Sequence, residues 1–100
     1  MAEIYFTTKA LEDLVSIWDY TISTWSERQA EVYYDKLMGS CEKIALNPKI
    51  IGRRYKQIAE GLFGFKVDKH VIFYRIVSND NVEIIRILHE NMDLPDRLRE

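Results

Sequence analysis

Apolar residues recur along this chain in two different rhythms. Leu11, Leu14, Val15, Trp18, Ile22 and Trp25 fall three or four positions apart, the spacing of one face of an amphipathic helix. Thr7 and Thr8 precede them as candidate caps, and Glu12 and Asp13 are expected in the first turn, where the helix dipole favours acids. The pattern predicts a first helix over 8–24. A second helical face follows in Ala30, Tyr33, Tyr34, Leu37, Met38, Cys41, Ile44 and Ala45. It opens on "SERQ", a capping box with Ser26 as N-cap, and stops at Asn47-Pro48, because proline cannot continue the ladder. Two helices joined by one or two residues fold back as an antiparallel hairpin.

Outside the helices the rhythm is two. "EIYF" at Glu3 to Phe6 is short and rich in strand formers. Beyond Gly61, Phe63, Phe65 and Val67 alternate with Gly64, Lys66 and Asp68. His70 to Val77 reads as the next strand, with Asp68-Lys69 as a tight turn and Ser78 to Asn81 as a polar hairpin loop. Val82 to Leu88 is apolar on both faces, which predicts a central strand. Residues 48–61 read as a connection, and Asp93 to Arg99 as a short helix or a tail. The expected architecture is α+β, in the order β-αα-βββ: one domain over 1–100, with the helical hairpin packed on one face of a small, mainly antiparallel, twisted sheet.

Charge adds one local feature. The net charge is −2 over 100 residues, which weakens any reading that needs broad phosphate neutralisation. From Lys49 to Lys69, however, Lys49, Arg53, Arg54, Lys56, Lys66 and Lys69 face only Glu60 and Asp68, a short basic patch. The single cysteine, Cys41, falls on an apolar helix face and allows no intrachain disulfide. No His/Cys/carboxylate set has metal-ligand spacing, and Gly61-Leu-Phe-Gly64 lacks the lysine and helix of a phosphate cradle. We therefore expect no metal and no cofactor. No apolar run approaches the roughly 20 residues of a membrane span, and no secretory pattern opens the chain. The expectation is a soluble cytoplasmic protein.

The order of elements, together with "GLFGFKVDKHVIFYRI" and "VEIIRILHENMD", resembles the RelE/ParE superfamily of bacterial toxins over nearly the whole chain. The strand ending "RILH" and followed by Met-Asp looks more like the ParE branch. The resemblance implies a small toxin of a type II toxin–antitoxin module, held in a hetero-oligomer by a cognate antitoxin. ParE-like members poison DNA gyrase by binding, whereas RelE-like members cleave mRNA in the ribosomal A site. A third reading is a non-toxic relic that only binds antitoxin.

The branches make different chemical demands. An RNA-cleaving site needs a base, an acid and several cations in one cleft. Lys66, Arg75, Arg86 and His89 are the candidates here. Alternation along a straight strand puts Arg86 with Leu88 and sends His89, with Ile87, Ile85 and the distant Glu83, to the other face. Arg86 in an apolar strand then reads either as an ion-pair partner or as a functional group. His89 reads as structural or partner-contacting, and His70 as exposed and idle. The favoured expectation is binding without catalysis and without sequence-specific nucleic-acid recognition. Antitoxin anchors would be Trp18, Trp25 and Tyr34 with the first strand, because Trp and Tyr dominate interface hot spots. Target contacts would come from Arg53, Arg54 and Lys56, from the outer face of the hairpin, and from the C-terminal segment with Asp93 and Arg97.

Overall fold

The computed structural model describes residues 2–99. The elements are β1 (Ile4–Phe6), α1 (Thr8–Thr24), α2 (Glu27–Leu46), α3 (Pro48–Ile51), β2 (Arg53–Arg54), β3 (Leu62–Val67), β4 (His70–Ile76), β5 (Val82–His89) and α4 (Leu94–Leu98). The expected order holds. The 48–61 connection adds the short α3 and the edge strand β2, neither of which the periodicity announces. The five strands run β1-β5-β4-β3-β2. Only β1 and β5 are parallel; the other neighbours are antiparallel.

Local chemistry sets the helix ends. The Thr7 hydroxyl accepts the Ala10 amide (3.1 Å) and donates to the Ile85 carbonyl (2.7 Å), so one side chain caps α1 and fastens it to β5. Ser26 accepts the Gln29 amide at 3.1 Å. The first turn of α1 holds no acid. Because Thr7 is the cap, Glu12 and Asp13 lie in the second turn, one turn later than the sequence suggests, and Asp13 has a tertiary partner instead.

The sheet buries both faces. On the helical side Ala10, Leu37, Cys41, Ile44, Ile72, Tyr74, Ile84 and Ile87 form the main core. On the far side Leu62, Val71, Phe73 and Leu88 form a smaller cluster, covered by Tyr55, Ile58, Leu94 and Leu98. One irregularity decides which residue faces where. Phe73 pairs with Arg86 but Tyr74 pairs with Ile84, leaving Ile85 as a bulge. A one-residue insertion reverses the alternation behind it. Ile84 and Ile87 therefore both join the main core, while Ile85 packs with the far cluster. This corrects two expectations: Ile85 does not share the face of Ile87, and Glu83, next to Ile84, does not share the face of His89.

Candidate functional site

Arg86 is committed to the fold. Its Nε donates to Asp13 Oδ2 at 2.8 Å, its Nη2 to Asp13 Oδ1 at 3.0 Å, and its Nη1 to the Arg97 carbonyl at 2.7 Å. The two side chains are only 11% and 14% exposed. Burying two charges is tolerated when the geometry is bidentate and the remaining donors are satisfied. Asp13 also accepts the Ile87 amide at 2.9 Å. That amide lies past the end of β1, where the edge of β5 has no neighbouring strand.

The four residues considered for RNA cleavage do not form one constellation. Register places Arg86 level with Phe73, Arg75 level with Leu62, and Lys66 level with Val71. All three lie on the far face, around the apolar cluster. Lys66 pairs with Glu90 at 3.3 Å. His89 stands level with His70, on the helical face.

There His89 borders an open cleft of about 740 Å³ between the hairpin tip and the sheet, lined by Tyr20, Trp25, Val32, Tyr33, His70 and His89 among others. His70 is not the exposed, idle residue its place beside a turn suggests. Tyr33 of α2 passes over it, with its hydroxyl 2.6 Å from His70 Nδ1 and 3.2 Å from the Val67 carbonyl. The His70 and His89 rings meet edge to face at 5.3 Å. Burial and the neighbouring His89 hold the His70 pKa below the usual imidazole value. Burial, then the Asp68 charge, pushes the Tyr33 hydroxyl up to about 12. Tyr33 is thus a neutral donor, not a base, near neutral pH. The Asn91 amide donates to His89 Nδ1 at 3.1 Å, which leaves the proton of neutral His89 on Nε2. Lys36 and Lys69 also line the cleft, but Lys36 is paired with Asp68 at 2.9 Å.

The three aromatic residues singled out from the sequence divide between two surfaces. Trp18 and Tyr34 meet edge to face at 6.1 Å on the outside of the hairpin. Trp25 is the C-cap of α1, with φ −122° and ψ −86°, and this departure from helical geometry turns it into the cleft.

Arg53 and Arg54 form the exposed edge strand β2, with their guanidinium groups over the Tyr55 and Phe63 rings at 5.8 and 5.4 Å. Lys56 is exposed in the turn that follows. Asp93 caps α4 by accepting the Asp96 amide at 3.4 Å, and Arg97 lends its carbonyl to Arg86. Among the described residues, no three His, Cys, Asp or Glu converge as metal ligands, and no helix is long and apolar enough to cross a membrane.

The family model described as "ParE toxin of type II toxin-antitoxin system, parDE" matches residues 4–94. Toxin ParE1 of Mycobacterium tuberculosis is 32% identical over 99 residues, covering 98% of this chain and 100% of that protein. Toxin ParE1 of Caulobacter vibrioides is 35% identical over 85 residues, 85% of each. A solved structure of the chromosomal ParDE toxin–antitoxin system of P. aeruginosa superposes with a TM-score of 0.76 at 18% identity, over 89% of this chain and 96% of that one. The toxin–antitoxin complex RelBE2 of M. tuberculosis gives 0.62 at 21% identity, over 88% and 96%. Similarity at these identities is one of fold.

Proposed function

The chain belongs to the ParE toxin family of type II toxin–antitoxin systems, and we propose that it acts in the cytoplasm by binding DNA gyrase. In this reading it stabilises the gyrase–DNA cleavage state without cutting nucleic acid itself, and a cognate antitoxin neutralises it in a hetero-oligomer. One observation carries the choice of binding over catalysis: Arg86 is held in a buried bidentate pair with Asp13, on the opposite face of the sheet from His89. A guanidinium that must steady a phosphate in the transition state has to be available to it, and here all three nitrogens are engaged by the Asp13 carboxylate and the Arg97 carbonyl. Arg53, Arg54 and Lys56 offer an exposed basic surface for contacting the gyrase–DNA complex.

Relaxed plasmid, purified gyrase and the free toxin test this directly. The expected result is loss of supercoiling with accumulation of linear DNA, and no cleavage of mRNA on ribosomes. Ribosome-dependent cleavage with supercoiling untouched would overturn it and move attention to the cleft of Tyr33, His70 and His89.

A further inference from the structure

The outer face of α1 carries a second apolar stripe besides the one it buries. Leu11, Val15, Trp18 and Ile22 are spaced four, three and four apart, the rhythm of a coiled-coil seam. Leu11 is 50% exposed, Val15 60% and Ile22 40%. Tyr34, 42% exposed, continues the stripe onto α2 through its contact with Trp18. The stripe runs for about three helical turns; Trp18 is half-buried against Tyr34, and among the described residues no element of the fold covers Leu11, Val15 or Ile22.

Its borders are acidic on both sides. Helical geometry puts Glu12 and Asp19 beside the stripe on the flank of α1 away from α2. On α2, Glu27, Glu31 and Asp35 follow one ridge at intervals of four. Glu31 and Asp35 line a shallow concavity directly against Trp18 and Tyr34. All five acids are exposed. None of them makes an ion pair among the described residues. Lys9, Arg28 and Lys36 are the nearest cations in sequence; none of them stands within either row, and Lys36 is paired with Asp68 at 2.9 Å.

We propose that this stripe receives an amphipathic helix of a partner protein, with apolar residues in the same three-four rhythm and Lys or Arg along both flanks. This rests on the reading that an antitoxin covers the chain, and it specifies the chemistry of the covering segment. The acidic borders select the occupant. A second copy of the chain would set acid against acid on both sides, as would an anionic lipid surface. A helix with basic flanks neutralises both rows while burying Trp18.

The test uses two synthetic helical peptides of about three heptads, long enough to hold a helix. Both carry the same Leu/Ile seam; one has Lys flanks and the other Glu flanks. The chain has two tryptophans, so Trp25→Phe leaves Trp18 as the sole fluorescent reporter on the stripe. The Lys-flanked peptide should bind with a blue shift of Trp18 emission, about tenfold or more tighter than the Glu-flanked one. The triple variant Glu12→Lys, Asp19→Lys, Glu31→Lys changes only exposed residues and should reverse that preference. Equal binding of the two peptides, an unchanged Trp18 spectrum with both, or a dimer of the toxin that Val15→Glu dissolves would each overturn the proposal. None of these outcomes bears on supercoiling, so the gyrase reading stands or falls separately.

Discussion

The Asp13 carboxylate receives three hydrogen bonds at once, two from the Arg86 guanidinium and one from the Ile87 amide. It does for the edge of β5 what a longer β1 would have done, and it joins α1 to that edge. Asp13→Ala removes one partner of a buried pair, which typically costs about 3–5 kcal/mol because the remaining charge is left buried and unpaired. Lys36→Ala is the control, since its pair with Asp68 is 51% exposed on both sides, and its cost should stay within about 1 kcal/mol. Urea midpoints measure both. Near-equal losses would mean that Asp13 does not hold the edge.

The helices and the two later hairpins were legible because their signals are local: capping residues, proline, and a change of period after Gly61. The site was not, because it depends on a single bulge. With Ile76 opposite Val82, regular pairing would put His70 opposite Leu88. The extra residue at Ile85 advances the register so that His70 meets His89. No propensity marks Ile85 as a bulge. Tyr33 illustrates a second limit: helical spacing assigns it to an inward face, but its hydroxyl reaches the end of β3 and the start of β4, a tertiary contact without sequence periodicity. The separation of Trp25 from Trp18 follows from the cap geometry that ends α1, and three-four spacing alone runs straight through it.

Gly52 and Tyr74 should prove coupled. The buried Tyr74 hydroxyl donates to the Pro48 carbonyl at 2.6 Å, and a methyl group at Gly52 would overlap that hydroxyl and its ring carbon. Tyr74→Phe leaves the carbonyl without its donor, a loss of about 1–3 kcal/mol. Gly52→Ala should also destabilise, because Tyr74 must shift. The double variant should be more stable than the sum of the singles implies, since removing the hydroxyl relieves part of the overlap. Strict additivity in a denaturation cycle would show that the two positions act independently.

Acid should weaken the fold through His70. Its folded pKa lies below the ordinary 6.5, first because of burial and then because of His89, while Asp13, Asp68 and Glu90 pull it partly back. A depressed folded pKa means that the unfolded chain binds the proton more readily. The stabilisation is fully present above the unfolded value and is lost as pH falls through the folded one. Melting temperatures compared between about pH 7.5 and 5.5 should fall for the natural chain more than for His70→Asn, which keeps a polar partner for Tyr33 but cannot titrate there. Parallel losses in both proteins would assign the acid sensitivity to other groups.

Cys41 offers an independent gauge of the same energetics. It is the only cysteine and is fully buried. Burial, with a smaller contribution from Glu42, pushes its thiol up to about 12. Alkylation needs both access and the thiolate, so iodoacetamide at mildly alkaline pH should modify Cys41 only when the main core opens. If opening equilibrates faster than alkylation, the rate reports the population of the open state. Asp13→Ala should then accelerate modification by roughly a hundredfold or more, the factor that about 3 kcal/mol implies. Mass spectrometry of timed samples measures it. Modification of the natural chain as fast as in urea would show that α2 opens locally and that Cys41 does not report on the Asp13–Arg86 junction.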